Sequence, residues 1–437
     1  MPHPMGSSVP VLSSFSDFEE RLSRLGQFRM VPGLSRIKGA LEDLGLERPA
    51  RAIVQVVGTN GKGSTSCFLE SLGRAAGVRT GLYSSPHLVS VRERVKVDGG
   101  MLPEELWLEA AGATLECAAK RELTYFEWLT LLGAWIFREQ GVELAVVEAG
   151  LGGRFDATTA LAADLVVVTP IDLDHQRILG DTPAAIAADK AGAMRRGKPV
   201  VSAAQLPEAA AVLRREAGER GAGLSFAGER FQWRDSPLVT AGQGATYLDT
   251  VTLRLPGGHQ KSNALLALES WYAAGERFAW DLAPELCRTG LETAWLPGRM
   301  QRIPWDPELV LDAAHNPAGM RVLRRALDAL GIRPELVVFT CLKDKEVQAL
   351  CRELLQLTAG PVLVPQLKET ERSLPAEYLA WLVGPQAEAV AGVDVALKRA
   401  RQSRGPVLVC GSLFLLAEVF RLRPEWMRAE EQLEARS

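Results

Sequence analysis

The segment that most constrains this chain is a glycine-rich loop, Gly58-Thr59-Asn60-Gly61-Lys62-Gly63-Ser64. It follows a predicted strand over residues 52–57 and precedes a predicted helix over residues 62–76, which Gly77 ends. The N–H groups at the start of a helix and the helix dipole hold phosphate groups, and Lys62 can reach the terminal ones. The order of strand, loop and helix therefore predicts a phosphate-binding loop in an α/β fold.

The spacing of the glycines disfavours a dinucleotide site. They run G-x-x-G-x-G, whereas the dinucleotide motif is G-x-G-x-x-G. The loop also departs from the usual G-x-x-x-x-G-K-[ST], because Val56 stands where the first glycine belongs and the hydroxyl comes one residue late, at Ser64. The remaining alternative is a glycine-rich turn without a ligand, and the position between strand and helix favours the phosphate site.

Apolar runs and helical stretches alternate along the rest of the chain, which is the pattern of parallel α/β folds. Strands are predicted at residues 80–83, 144–148, 165–169, 199–202, 309–312, 336–340, 362–364 and 407–410, and helices at 103–120, 124–140 and 263–274. We therefore expect an α/β fold: a P-loop parallel-sheet domain flanked by helices, plus a smaller, doubly wound, Rossmann-like C-terminal α/β domain.

A concentration of proline and glycine marks a predicted domain boundary. Pro297, Gly298, Pro304 and Pro307 fall within residues 295–307, a composition suited to a linker. The 437 residues leave room for two or three domains of ~100 to 200 residues. We place an N-terminal nucleotide domain at residues 1–296 and a C-terminal domain at residues 297–437.

The charge balance argues against a polyanionic partner. The chain has 50 Lys and Arg against 53 Asp and Glu, so no global field attracts nucleic acid or anionic lipid. The six cysteines are scattered without a C-x-x-C pair, and no apolar run reaches the ~18 residues of a membrane helix. We expect a cytoplasmic monomer that binds small molecules, with no nucleic acid and no membrane partner.

A metal site is predicted beside the phosphate loop. A nucleotide on such a loop brings Mg²⁺, and the protein usually adds a carboxylate from the end of a neighbouring strand. Glu148 ends the apolar run 144–148, and His175 follows the run 165–169 after a short turn. The alternatives are a solvated glutamate and a histidine that caps a turn. Because open sheets bind ligands at the carboxyl ends of their strands, the shared position favours a metal site.

A longer series of motifs extends along most of the chain. After the glycine-rich loop come Ser84-Ser85-Pro86-His87-Leu88, Thr124-Tyr125-Phe126-Glu127, Gly152-Gly153-Arg154-Phe155-Asp156-Ala157, Asp174-His175, Lys190-Ala191-Gly192, His259-Gln260 with Asn263, Pro297-Gly298-Arg299, Asp312-Ala313-Ala314-His315-Asn316-Pro317 and Gly411-Ser412. Each motif is short, but their order is specific. The series resembles the folate branch of the Mur ligase family, which contains dihydrofolate synthase and folylpolyglutamate synthase.

The resemblance implies a role for each matching residue. ATP contacts fall on Thr59, Asn60, Gly61, Lys62, Gly63, Ser64, Asn263, Arg299, Asp312 and His315. The pteroate pocket falls on Thr124, Tyr125, Phe126, Glu127, Arg154, Asp156 and Ala157. Two magnesium sites fall on Ser85, Glu148, His175 and Lys190, the last as a carbamylated lysine. The catalytic set would then be Lys62, Glu148, His175 and Lys190.

Several of these residues also have purely structural explanations. Thr124 begins a capping-box pattern, and Asn316 followed by proline reads as a helix N-cap. Asp156 beside two glycines can simply form a turn. Arg299 can form a salt bridge in the linker, and Ser85 can lie in a polar loop. At the level of sequence, both explanations stay open.

Lys190 has the sharpest pair of alternatives. As a carbamate it would supply oxygens to a metal. CO₂ adds to the neutral amine, and burial near cations favours that form because it lowers the pKa of a lysine. As a surface lysine it would pair with Asp189, which stands where the family has glutamate. Asp172 is a second acidic departure and replaces a residue that is usually small.

The predicted activity is ATP-dependent ligation. The resemblance implies that L-glutamate is joined to dihydropteroate, and further glutamates to reduced folates, through an acyl phosphate. Another Mur-type acid–amino-acid ligase is the alternative among enzymes, and a non-catalytic P-loop ATP-binding switch is the alternative outside them. Glutamate-dependent release of ADP separates a ligase from a switch.

Overall fold

The computed structural model describes residues 12–27, 29–234, 237–242, 244–368 and 372–428. Its largest sheet contains β1 (Ala52–Val57), β2 (Thr80–Tyr83), β3 (Val95–Val97), β4 (Gly100–Met101), β5 (Leu144–Glu148), β6 (Leu165–Val168), β7 (Val200–Ser202) and β8 (Leu224–Phe226). The strands lie in the order β4-β3-β2-β5-β1-β6-β7-β8. The glycine-rich loop therefore leaves the sheet from a central strand.

The centre of this sheet is parallel and completely buried. Every residue of β1, β5 and β6 is buried, and β1 pairs in parallel with both neighbours. Continuous apolar runs are typical of parallel strands that are covered on both faces, and the predicted parallel sheet is confirmed there. One edge differs, because β3 pairs antiparallel with β2 and with β4.

Helices cover both faces of the sheet. They are α1 (Phe15–Arg24), α2 (Ser35–Leu44), α3 (Lys62–Ala75), α4 (Glu104–Lys120), α5 (Tyr125–Glu139), α6 (Gln176–Leu179), α7 (Pro183–Lys190), α8 (Pro207–Arg220), α9 (Gly258–Phe278) and α10 (Pro284–Thr293). Alternate residues of β1 enter different cores: Ile53 packs with Trp128 of α5, and Val54 packs with Phe68 of α3 and Trp271 of α9. The helices predicted at 62–76, 103–120 and 124–140 are confirmed to within one residue.

A small antiparallel sheet occupies a region for which the sequence predicted no strands. It contains β9 (Phe231–Trp233), β10 (Leu238–Thr240) and β11 (Thr246–Leu248). Phe231 and Tyr247 pack against Tyr272 of α9. These three strands are too short to show an alternation of apolar and polar residues, and they do not continue the alternation of strands and helices that predicts the short strands of the large sheets.

The second large sheet forms the C-terminal part. Its strands are β12 (Gln301–Ile303), β13 (Leu309–Leu311), β14 (Leu336–Phe339), β15 (Val362–Pro365), β16 (Ala387–Val390) and β17 (Val407–Cys410), in the order β12-β13-β17-β14-β15-β16. Its helices are α11 (Pro317–Ala329), α12 (Val347–Leu354), α13 (Ala376–Val383), α14 (Val393–Ala400) and α15 (Leu413–Leu422). The two faces carry separate apolar cores, so the smaller α/β unit is confirmed.

The interpretation of all residues 295–307 as linker is wrong for one strand. β12 pairs antiparallel with β13 at the edge of the C-terminal sheet. An edge position tolerates the prolines that follow, Pro304 and Pro307, because only one side of the strand needs its N–H groups. No helix in the described ranges combines the length and the apolar character needed to cross a membrane.

Candidate nucleotide and substrate site

The glycine-rich loop turns sharply between β1 and α3. Gly58 and Gly61 have φ values of +143° and +86°, and a Cβ on Gly58 would lie 1.9 Å from Thr169 Oγ1. Only glycine fits such a close approach at positive φ. The Thr59 N–H donates to the Pro170 carbonyl at 3.0 Å, which fixes the loop against the turn after β6. The first N–H groups of α3 have no partner within the helix and are available to a phosphate.

Two lysines meet at one carbonyl of this loop. Lys62 Nζ donates to the carbonyls of Gly58 and Thr59, both at 3.2 Å, and Lys190 Nζ donates to the Gly58 carbonyl at 2.7 Å. Lys190 ends α7 and is only 3% exposed. Burial and then the charge of Lys62 lower the pKa of Lys190 to about 7. The alternative of a surface lysine paired with Asp189 is wrong, because Asp189 instead accepts a backbone N–H from a neighbouring loop.

Glu148 is a buried carboxylate beside the start of α3. A Cβ built on Gly63 would lie 3.7 Å from Glu148 Oε2, and the same oxygen accepts the Ser85 N–H at 3.2 Å. Burial raises the pKa of Glu148, and the charge of Lys62 opposes that effect. Because a carboxylate has about four acceptor positions, Glu148 has lone pairs left for a cation.

His175 lies at the entrance to the same region. It precedes α6 at φ +49°, and its side chain is 36% exposed. Burial lowers the pKa of His175 to about 4, so the ring is neutral and one nitrogen can bind a metal. Within the described ranges, no three His, Cys, Asp or Glu side chains form a metal cage. Mg²⁺ usually binds one or two carboxylates plus substrate phosphates, so Ser85, Glu148 and His175 fit a site that a nucleotide completes.

An aromatic wall adjoins this region. Phe126 of α5 packs edge-on against Tyr83 of β2, with ring centroids 5.9 Å apart. The Phe126 ring also covers Gly150, where a Cβ would lie 2.7 Å from the ring. Tyr83 is buried, whereas Phe126 keeps part of its ring exposed. The motifs around Phe126 and Gly150, far apart in the sequence, thus meet at one surface that an aromatic ligand could use.

Structural roles are present for two of the predicted pocket residues. Thr124 Oγ1 accepts the Glu127 N–H at 3.4 Å, and the Glu127 carboxylate accepts the Thr124 N–H at 2.8 Å, which is a capping box. Asp156 is 6% exposed and accepts the N–H groups of Leu151 and Thr158 at 2.9 and 3.0 Å. Asp156 therefore shapes its own loop.

The other predicted pocket residues differ in exposure. Tyr125 is buried under the guanidinium of Arg94, whose Cζ lies 5.7 Å from the ring centroid. Ala157 is buried, and Arg154 is exposed. Sequence analysis missed Arg36, which donates to both oxygens of Glu127 at 3.0 and 3.2 Å. No local pattern predicts a partner 91 residues away.

Two of the later nucleotide candidates lie at the same loop. Asn263 of α9 lies against Gly61, because a Cβ on Gly61 would be 2.5 Å from Asn263 Oδ1. Arg299 lies close enough for its positive charge to act on the pKa values of Glu148 and His315. The structure therefore places Asn263 against the phosphate loop and Arg299 within electrostatic range of Glu148.

The other two candidates, Asp312 and His315, are already engaged by backbone. The Asp312 oxygens accept the N–H groups of Met300 and Ala314 at 2.9 and 2.8 Å. His315 Nδ1 lies 2.8 Å from the Ala313 carbonyl, and burial lowers the pKa of His315 to about 4. These contacts fix the turn after β13 and leave the second ring nitrogen of His315 available.

A polar network joins the C-terminal part to the phosphate loop. Asn316, the predicted N-cap of α11, accepts the Gly319 N–H at 2.7 Å and donates to Asn60 Oδ1 at 3.0 Å and Asp174 Oδ2 at 3.1 Å. Lys345 donates to Asp174 Oδ1 at 2.8 Å, and these two side chains are 8% and 12% exposed. Sequence analysis missed Lys345, although it follows the end of β14 and the strand-end rule applies to it equally.

The fold and the site define the class: a P-loop nucleotide-binding protein built from two α/β units. Residues 298–413 match the family model described as Mur ligase, glutamate ligase domain. Folylpolyglutamate synthase from Lacticaseibacillus casei is 33% identical over 419 residues, which cover 91% of this chain and 95% of that protein. The chain belongs to the folylpolyglutamate synthase and dihydrofolate synthase family.

Two solved structures are similar over almost their full length. Escherichia coli FolC in complex with DHPP and ADP has 31% sequence identity and a TM-score of 0.86, and the match covers 96% of this chain and 99% of that chain. The bifunctional folylpolyglutamate synthase/dihydrofolate synthase from Yersinia pestis, complexed with AMPPNP and Mn ion, has 31% identity and a TM-score of 0.83, covering 95% and 99%. The two-unit α/β architecture is therefore that of the family.

Proposed function

We propose that this protein is an ATP-dependent ligase that joins L-glutamate to dihydropteroate and adds further glutamates to reduced folates. The observation that carries the proposal is the convergence of Lys62, Lys190 and Glu148 on one phosphate loop beside an aromatic wall. The relatives hold ADP with DHPP and AMPPNP with Mn, and family membership extends these kinds of ligand to this chain. The groups that carry the proposal meet within one chain, so a monomer suffices for the reaction. The six cysteines are buried and free, which suits a reducing compartment such as the cytoplasm.

The first step brings two anions together. The substrate carboxylate attacks the γ-phosphorus, the bond to the bridging oxygen breaks, and ADP leaves an acyl phosphate behind. Lys62 and Arg299 place positive charge where the negative charges meet. Ser85, Glu148 and His175 would hold magnesium, which would neutralise further charge on the phosphates.

The second step forms the amide. The glutamate amine attacks the acyl carbon, the C–N bond forms, phosphate leaves with the electrons of the C–O bond, and the amine proton is released to solvent. An acyl phosphate hydrolyses in water, so the site must be closed during this step. We assign closure to the C-terminal unit, which contacts the phosphate loop through Asn316 and the neighbouring Asp174 through Lys345.

The deciding experiment measures ADP release with dihydropteroate or tetrahydrofolate, each with and without L-glutamate. A ligase releases ADP in proportion to the amide formed and needs both substrates, whereas an ATP-binding switch is indifferent to them. A rate of ADP release that does not change when the folate substrate or L-glutamate is added contradicts the proposal.

The metal ligands are tested by magnesium titration. Glu148→Gln and His175→Ala are expected to raise the magnesium concentration for half-maximal rate by about tenfold or more, since loss of a ligand or of its support has effects of that order. Titrations that overlay that of the parent place the metal elsewhere.

Lys190 is the proposed carbamate. Its amine is buried, has a pKa near 7 and therefore offers the neutral form that CO₂ requires. The nitrogen attacks the carbon of CO₂, an N–C bond forms, a proton leaves, and a cation becomes an anion with two oxygens. With ¹³CO₂, the parent should show a carbamate carbon resonance that Lys190→Ala lacks. Lys198→Ala, which alters a lysine paired with Asp164, is the control and should keep the resonance.

The proposed domain boundary remains between residues 296 and 297. On one side, Cys67 Sγ of α3 donates to the Trp295 carbonyl at 3.2 Å. On the other side, the Gly298 N–H donates to Gln301 Oε1 at 2.9 Å and the Gly298 carbonyl accepts the Ala313 N–H at 2.9 Å. These contacts tie Trp295 to the N-terminal unit and Gly298 to the C-terminal unit, so we place the hinge for closure between them.

A further inference from the structure

Arg94 is a buried cation without a carboxylate partner. It is 3% exposed, and no Asp or Glu of the described ranges forms an ion pair with it. Arg94 Nε donates to His87 Nδ1 at 2.9 Å, and the guanidinium lies over the Tyr125 ring. Because His87 Nδ1 accepts this N–H and Tyr125 contributes its ring face, neither partner is an anion. A buried charge is costly unless it is paired, which points to an anion that binds from outside.

Arg94 lies between the aromatic wall and the metal-site carboxylate. Its carbonyl accepts the Ser84 N–H at 2.9 Å, and the next residue in the chain pairs with Tyr83 across β2 and β3. The N–H of the residue after Ser84, Ser85, donates to Glu148 Oε2 at 3.2 Å, and the Arg94 guanidinium lies over the ring of Tyr125, which precedes Phe126. An elongated ligand that spans the distance from the wall to the phosphate loop therefore passes this guanidinium.

The backbone around Arg94 is held firmly. The carboxylate of the preceding residue, Glu93, accepts the N–H groups of Leu88, Val89 and Ser90 at 2.8, 2.7 and 2.7 Å. This network fixes the loop that carries Ser85 and the short 3₁₀ helix that carries Arg94. The guanidinium is thus positioned before any ligand binds, which reduces the entropy cost of binding.

We propose that Arg94 binds the carboxylate of the pteroate substrate, holding one oxygen while the other attacks the phosphate. The inference rests on the proposed function. The Arg94 guanidinium presents N–H groups in a planar fork that matches a carboxylate, and holding one oxygen orients the other toward Lys62. A lysine would give a point charge without that direction. Arg94 would therefore be a substrate-binding residue that neither the glycine-rich loop nor the metal ligands replace.

The test compares two ligands of nearly the same shape, pteroate and its uncharged carboxamide, titrated by fluorescence against the full-length protein with ADP and magnesium. The parent should bind the carboxylate about 10- to 100-fold more tightly, the range of a charge-assisted hydrogen bond. Arg94→Met should bind both ligands within about twofold of each other while keeping the parent's affinity for the amide. Arg94→Lys keeps the charge, so its preference for the carboxylate should lie between those of the parent and Arg94→Met. It is the test variant if Arg94→Met does not fold.

Arg92→Met is the matched control. Arg92 lies on the same 3₁₀ helix, is paired with Glu104 and should leave the preference for the carboxylate intact. If Arg94→Met and Arg94→Lys prefer the carboxylate as strongly as the parent does, the inference is overturned. It is also overturned if the affinity for both ligands falls equally, because Arg94 then only supports His87. A parent that binds neither ligand overturns the proposed function and the inference with it, whereas the first two outcomes leave the proposed function standing.

Discussion

Among single residues, Lys62 is hydrogen-bonded to the loop that carries it. Its ammonium donates to two loop carbonyls at 3.2 Å, so Lys62→Ala removes charge from the phosphate site and no packing from a core. We expect the ligation rate to fall about 100-fold or more, the effect of losing one charge-stabilising donor, with an unchanged melting temperature. Coupled release of ADP measures the rate. A variant that releases ADP nearly as fast as the parent contradicts the phosphate-loop assignment.

Lys190 gives a prediction about pH. In the metal-free protein without CO₂, its folded pKa is about 7 and its ordinary value is 10.5, so between these values the unfolded chain binds a proton that the folded chain lacks. Linkage then requires that stability rise with pH in this window, by about 1 kcal/mol per pH unit. Denaturant titrations from pH 7 to pH 9 should show this rise in the parent and not in Lys190→Met. Parallel curves for the two proteins would mean that Lys190 is charged in the folded state.

The single residues that the sequence predicts are those whose position follows from the order of neighbouring strands, turns and helices. The loop around Lys62 and the strand-end Glu148 follow from strand, turn and helix, and the structure has both elements. Arg36 and Lys345 escaped because their partners lie 91 and 171 residues away, where only the folded chain makes the contact. Burial of Lys190 likewise depends on how α7 packs, which no nearby residue type determines.

Among the elements, the start of α5 depends on one carboxylate. Glu127 accepts the Thr124 N–H and pairs with Arg36 of α2, and these charged side chains are 7% and 21% exposed. Glu127→Ala leaves Arg36 unpaired and the cap incomplete, so we expect a loss of about 2 to 4 kcal/mol in the free energy of unfolding. Denaturant titration measures it. The double variant Arg36→Met with Glu127→Leu removes both charges and should recover part of the loss; no recovery would assign the cost to packing alone.

Length and context together decide which elements the sequence predicts. The six-residue run of β1 and the helices α3, α4 and α5 are predicted almost to the residue, because each has several turns or a continuous apolar run. The three-residue strands β7 and β13 are predicted because they continue the alternation of strands and helices. The short strands β3, β4, β8 to β12 and β16 were missed, since their pairing is determined by neighbours and not by their own pattern. β12 also lies among prolines that favoured a linker.

For the whole molecule, the contact between the two units has a polar part beside the phosphate loop and an apolar part, where Leu88 and Val89 pack against the core of the C-terminal sheet. Asp174 accepts hydrogen bonds from Lys345 and Asn316, and Asn316 also donates to Asn60 on the loop itself. A second contact joins Gln176 and Glu346. Because the bond from Asn316 to Asn60 ends on the nucleotide loop, the position of the C-terminal unit and the shape of the loop are physically linked. The polar part of the contact suits a joint that opens and closes.

Lys345→Met should loosen this joint. The substitution removes the ion pair with Asp174, and we expect the turnover rate to fall about tenfold because closure is less populated. Asp174→Asn should have a similar effect, and the double variant should lose little more, with a coupling energy of about 0.5 to 3 kcal/mol, because both changes break one contact. Energy transfer between one dye on each unit should report a larger mean distance in these variants.

Arg333→Met is the control, since the Arg333 side chain is 82% exposed and pairs with Asp328 of the same unit. Additive losses in the double variant, or a dye distance equal to that of the parent, would mean that the pair does not hold the units together.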